Sequence, residues 1–286
     1  MRLEGEEQSQ NVEDRRGRGG MRSAGGLGCV GILVVLGISL LTGQDPTQLL
    51  QILEQTQAVQ EQAAPPDAGA PVADDRLGVW ARQVLGTTER VWTEAFREMG
   101  AQYQPPTLVL FEGRTPSACG MGSAAMGPFY CSADEKLYLD FSFFDELHRR
   151  FGAPGDFAQA YVIAHEVGHH VQHLLGIQDK VTRAQQGARS EEEANSLSVR
   201  LELQADCLAG VWGNRANRLH PEKPLLEEGD IEEGLRAAAA IGDDRMQKMA
   251  QGYVQPESWT HGSSQQRVEW LTRGLKSGDP QGCQTF

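Results

Sequence analysis

The sequence predicts an α+β protein, mainly helical with one small β-sheet, preceded by a single N-terminal transmembrane helix. Three observations carry that prediction. An uninterrupted apolar run stands close behind a group of arginines near the N-terminus. "TLVLFEG" and "KLYLDFSFF" read as strands bounded by proline, glycine and charged residues. Most of the remaining chain repeats its apolar residues at helical spacing.

Residues 1–26 hold five arginines against five acidic residues, and none of the acidic ones falls after Arg15. "LGCVGILVVLGISLL", residues 27–41, is 15 residues long, and its tolerant flanks extend it to 19. About 20 such residues span a bilayer, and flanking arginines stay on the cytoplasmic side. The expected order is a cytoplasmic Arg-containing head (1–26), a transmembrane anchor (27–43), a linker (44–75) and an extracytoplasmic catalytic domain (76–286). A cleaved signal peptide is the rival reading of the run, but "SLLTGQD" offers no convincing small-x-small cleavage site. The linker passes from a Gln-rich stretch into Pro, Ala, Gly and Asp, the composition of a spacer.

With 40% hydrophobic residues, the chain can bury a sizeable core. Its net charge of −13 argues against nucleic acid as a partner, because a phosphate backbone asks for a basic surface. The first helix of the domain is read over "LGVWARQVLGTTERVWTEAFREMG", ending on Gly100. "GDFAQAYVIAHEVGHHVQHLLG" is the next long helix, with Asp156 and Gln159 spaced as a capping box and Gly176 as its stop. Ser190 and Glu193 open a further helix through "LSVRLELQADCLAGVWGNRA", and Asp230 and Glu233 repeat the device before "LRAAAAIG".

The central helix carries the chemistry. His165 and His169 are four residues apart and leave one face of a helix. Glu166 between them completes H-E-x-x-H, the spacing of a zinc site with its general base. Composition alone gives roughly 0.014 such matches in a chain like this one, so the motif is informative. A catalytic zinc needs a third protein ligand and keeps a fourth position for water. The metzincin pattern is excluded, because Leu175 stands where its third histidine belongs. "LELQADCLAG" supplies instead Glu202 and, one turn on, Asp206, both set among apolar residues. Glu202 is expected as the ligand and Asp206 as the acceptor that orients a ligand histidine, with the exchange of these roles as the alternative. His170 and His173 are expected to pack or to face solvent.

The ordered set "FYCSADEKLYLDFSFF", "GDFAQAYVIAHEVGHHVQ", "RLELQADCLAGVW", "AAAAIGDDR" and "THGSSQQRVEW" resembles the bacterial neutral zinc metallopeptidases over about residues 75–286, down to the terminal "CQTF". More distantly, HExxH with a later ExxxD, and His261 followed six residues on by Arg267, resembles the gluzincins, which implies a zincin-like domain. "THG" stands where that group has "THP". The resemblance implies a Zn2+ cofactor held by His165, His169 and Glu202, and a protein or peptide substrate. Such an ion makes hydroxide available near neutral pH, with Glu166 as the base and His261 as the candidate donor to the developing oxyanion. The competing reading is a catalytically silent, metal-stabilised domain that binds proteins or cell-envelope components.

Four further expectations follow. Cys119, Cys131, Cys207 and Cys283 all lie beyond the anchor, and the pairs Cys119–Cys131 and Cys207–Cys283 are expected as disulfides. "KLYLDFSFF" is read either as an edge strand that aligns substrate or as core. Residues 177–195 are read as a mobile lid or plain surface. Asp243, Asp244 and Arg245 are expected to form a salt-bridged helix end.

Overall fold

The computed structural model describes residues 1–17 and 75–286. The expected anchor at 27–43 and the linker therefore lie outside the described residues. Among the described residues, no helix is long and apolar enough to cross a membrane.

The chain divides into two compact units, residues 1–13 with 72–286, and residues 14–71. Only residues 14–17 of the second unit are described, and there Asp14 accepts hydrogen bonds from the backbone and guanidinium of Arg16. The first unit opens on β1 (Val12–Asp14, whose last residue is counted with the other unit) and continues with α1 (Arg76–Glu98), β2 (Thr107–Leu110), β3 (Arg114–Ser117), β4 (Gly120–Ser123), β5 (Phe129–Cys131) and β6 (Lys136–Leu139). Seven helices follow: α2 (Ser142–Arg149), α3 (Asp156–Leu174), α4 (Ile177–Gln186), α5 (Glu191–Leu219), α6 (Asp230–Ala240), α7 (Asp243–Gln251) and α8 (Ser264–Ser277). This is the α+β pattern, mostly helix with little sheet.

The main sheet has the order β1-β2-β6-β5, with β2 and β6 parallel and β5 antiparallel to β6. β3 and β4 form a separate hairpin. β6 has neighbours on both sides, so the "KLYL" of "KLYLDFSFF" supplies an interior strand and the edge-strand reading falls, while its "SFF" opens α2 instead of continuing the strand. The edge beside α3 belongs to β5.

The N-terminal residues correct the expected division into a head and a domain. Leu3 is buried in the main core, and Ser9 donates its backbone N–H to Arg82 while Leu108 donates to Asn11. Glu6 pairs with Arg90, and Glu13 with Lys136. A Cβ on Gly86 would collide with the carbonyl of Glu7, so glycine is what lets this segment lie against α1.

None of the three expected capping boxes forms in full. α3 and α6 start after Gly155 and Gly229, neither with a side-chain cap. Asp156 and Asp230 instead receive the amino group of Met1, each at 3.0 Å, and Glu233 accepts from the backbone N–H of Phe157. The carboxylates were recruited by other elements. Ser190 does cap α5, accepting from Glu193 N–H. Residues 177–186, read as a lid, form α4 with Val181 buried, and Gln185 near its end bonds Ser198 of α5.

Candidate metal centre

α3 presents His165 and His169 one turn apart, and α5 crosses it at Gly168. A Cβ there would stand 3.0 Å from the carbonyl of Ala205, closer than ordinary contacts allow. The glycine inside "HEVGH" thus brings α5 near enough for Glu202 and Asp206 to reach the histidines. Glu202 Oε2 lies 3.1 Å from His165 Nε2, and Oε1 lies 3.2 Å from His169 Nε2. Donors bound to one zinc at 2.0–2.2 Å with tetrahedral angles stand about 3.3 Å apart. Two imidazoles and a carboxylate are the donor set of a catalytic zinc, and with donor atoms all within 4.8 Å of one another the three side chains form a group able to hold a metal.

The charges agree with that use. Burial would lower His165, but Asp206 and Glu202 outweigh it and push the imidazole up to about 10. Burial would raise Glu202, and the two imidazoles hold it well below the usual carboxylate range. A cluster this short of positive charge is one for which a dication competes with protons.

Behind His165 lies a fully buried network. Asp206 Oδ1 accepts from His165 Nδ1 at 2.9 Å, from Tyr161 Oη at 2.5 Å and from Arg267 Nη2 at 2.9 Å, while Arg267 Nε donates to Oδ2 at 2.8 Å. Burial would raise the Asp206 carboxyl, yet Arg267 and His165 keep it at about 2. An ionised Asp206 fixes the proton of His165 on Nδ1 and turns Nε2 toward the cluster. Asp206 thus stands behind His165 rather than in the cluster.

A cavity of about 570 Å³ opens in front, reached by His165, Glu166, His169, Glu202 and His261. Burial, with Glu202 adding to it and the two imidazoles opposing, raises the Glu166 carboxyl above its ordinary value. His261 is half-exposed, with Nδ1 3.3 Å from Asp243 Oδ1. Asp243 Oδ2 also accepts the backbone N–H groups of Thr260, His261 and Gly262, and the side-chain bond from His261 to Asp243 raises the imidazole above its ordinary value. Asp244 accepts from Ser264, and Arg245 donates to the carbonyl of Phe151. The expected salt-bridged helix end is instead a clamp on backbone, which explains "IGDDR". Gly262 has φ +90°, a conformation closed to proline, so "THG" marks a loop built differently from "THP".

His170 is buried and bonds Tyr130 Oη and the carbonyl of Gln104, and His173 lies 3.7 Å from Glu135. Neither joins the cluster. Disulfides link Cys119 to Cys131 and Cys207 to Cys283. A second group, Asp156, Asp230 and Glu233, holds two of the carboxylates that pair with the Met1 amino group, Asp156 and Asp230. The sequence alone assigned no role to Tyr161 or Gln172, and to Asp243 only a place in a helix end. Tyr161 stands four residues before His165, on its face, and that spacing was a usable signal; the roles of the other two depend on elements far along the chain.

The arrangement is that of an HExxH motif whose two histidines meet a carboxylate from a following helix. The chain belongs to the family described as "Putative neutral zinc metallopeptidase", which matches residues 1–286. It is 47% identical to "Uncharacterized protein YpfJ" of Escherichia coli (strain K12) over 291 residues, covering 100% of this chain and 99% of that protein. It is 40% identical to "Uncharacterized protein Rv2575" of Mycobacterium tuberculosis (strain H37Rv) over 263 residues, covering 87% of this chain and 85% of that one. No solved structure matches the chain.

Proposed function

We propose that this chain is a zinc-dependent peptidase that hydrolyses peptide bonds in extended segments carrying a bulky apolar side chain. One observation carries the proposal: the Nε2 atoms of His165 and His169 converge on Glu202 while Glu166 faces the same cavity. A domain that only bound metal would need the first three residues and not the fourth. Zinc bound by His165, His169 and Glu202 supplies Lewis-acid activation of water and of the scissile carbonyl. Glu166 takes the proton released in the attack and passes it to the leaving nitrogen, a role suited to a carboxyl of raised pKa. His261, held by Asp243, donates to the oxygen on which charge develops.

The walls of the cavity support the substrate class. Phe143, Phe151, Val162, Ile241 and Met246 line it, and β5, at the edge of the sheet, contributes Phe129 and Tyr130. An edge strand can align a peptide by main-chain hydrogen bonds while pockets select its side chains. The two disulfides support a location outside the cytoplasm.

The test is cleavage of an unbiased peptide library by the full chain, with bound zinc quantified and Glu166→Gln as control. Cleavage that needs Glu166 and prefers large apolar residues supports the proposal. Stoichiometric zinc with no cleavage of peptides or unfolded proteins would leave the scaffold reading in its place.

A further inference from the structure

The two ligand histidines are oriented by different means. His165 rests on the buried ion pair of Asp206 and Arg267. His169 instead turns Nδ1 to Gln172 Oε1 at 2.9 Å. Gln172 is fully buried, and its Nε2 donates to the carbonyl of Leu201 at 2.7 Å and to Gln204 Oε1 at 3.0 Å. Gln204, also buried, donates its own Nε2 to the carbonyl of Cys283 at 3.1 Å. Cys283 is covalently tied to Cys207, three residues beyond Gln204 on α5. Arg200 holds the same tail, donating to the carbonyl of Thr285 and lying over the ring of Phe286.

This chain of contacts has one direction. A glutamine side chain has a donor end and an acceptor end, and a backbone carbonyl can only accept. The Cys283 carbonyl therefore requires the NH2 of Gln204, which leaves Gln204 Oε1 facing Gln172. That oxygen and the Leu201 carbonyl both require the NH2 of Gln172, which leaves Gln172 Oε1 facing His169. An acceptor at that position requires the proton on Nδ1, and the lone pair of Nε2 then points into the cluster. Flipping either amide would set acceptor against acceptor in a buried place, where unmatched polar groups cost most.

We infer that Gln172 is the positioning residue of His169, and that the Cys207–Cys283 disulfide sets its orientation by pinning the Cys283 carbonyl at the far end of the relay. The inference rests on the zinc reading of the cluster. It links metal affinity to a covalent bond that touches no ligand, and it gives the "CQTF" tail a role at the site. The ligand pair is thus asymmetric: a buried charge holds one imidazole, while the other depends on neutral amides whose last anchor is a disulfide.

The experiment is a double-mutant cycle on the full chain, read by zinc affinity in chelator competition and by the visible spectrum of the Co2+-loaded protein. Gln172→Met is expected to weaken zinc binding by about 10- to 100-fold and to change the Co2+ bands. The double variant Cys207→Ser, Cys283→Ser is expected to weaken it about tenfold in the native background, yet to add nothing in the Gln172→Met background, because the relay is already cut. Gln204→Leu, which keeps the disulfide, should behave as the cysteine variant does and serves if that variant fails to fold. Zinc binding as tight as wild type in Gln172→Met, or losses that add independently, would overturn the inference. A wild-type chain that bound no zinc would instead overturn the zinc reading, and this inference with it.

Discussion

Arg267 grips Asp206 through both arms of its guanidinium, Nε to Oδ2 at 2.8 Å and Nη2 to Oδ1 at 2.9 Å, with both side chains buried. Losing either partner has a distinct consequence. Arg267→Met leaves a buried carboxylate without its counter-charge and should cost about 3–5 kcal/mol of stability, measured by denaturant unfolding. Asp206→Asn removes the anion that fixes the His165 tautomer and should weaken zinc binding by about 10- to 100-fold. Zinc affinity unchanged in Asp206→Asn would mean that His165 is oriented without it.

Glu166 separates binding from chemistry. Glu166→Gln is expected to keep one zinc per chain and the wild-type melting temperature while losing about 10²- to 10⁴-fold in kcat, the usual contribution of a positioned acid–base group. Metal analysis beside steady-state kinetics checks both halves. A variant that lost its zinc would make Glu166 a structural member of the cluster.

The Asp243–His261 pair predicts a pH effect. The bond to Asp243 raises His261 above its ordinary value against the opposing effect of burial, so the imidazole keeps its proton, and its strength as a donor, to higher pH. Asp243→Asn removes the anion, and the proton is then lost at lower pH. The alkaline limb of the kcat/KM profile should therefore move toward acid, and His261→Ala should lose about 10²-fold in rate. A limb that stays in place would remove His261 from the reaction.

The "HEVGH" motif and the Glu202–Asp206 pair were legible because their spacing puts them on helix faces whatever the rest of the chain does. The helices α1, α3, α5 and α6 and the strands β2 and β6 were legible from periodicity; β1, β3, β4, β5 and the other four described helices were not. Gln172 and Asp243 were not, since each draws its role from groups far along the chain: Gln204 and Cys283 for one, the Thr260–Gly262 backbone for the other. The capping boxes misled for a related reason. A carboxylate at a helix start has the same spacing whether it caps that helix or receives a distant amino group, as Asp156 and Asp230 do. The N-terminal segment, polar and short, resembles a solvated head until its contacts with α1 are seen.

That segment yields a prediction about compartments. Residues 1–13 pack in one compact unit with residues 72–286, and that packing is expected to keep both on one side of any bilayer. Cysteines placed at exposed Glu4 and exposed Lys276 should react alike with a membrane-impermeant maleimide on intact cells. Opposite reactivity would show that the N-terminal contacts do not form in the cell. Leu3→Ala should cost about 2–5 kcal/mol, as deletions of buried leucine side chains do.

β1 also closes something. It lies along β2 at the outer margin of the main sheet, short and bearing Glu13 and Asp14. Without it, β2 would present a row of unpaired N–H and C=O groups beside an apolar core, the template on which other chains assemble. The first residues of the chain thus act as a guard rail: a protein shortened to begin at residue 75 would leave that margin of β2 bare.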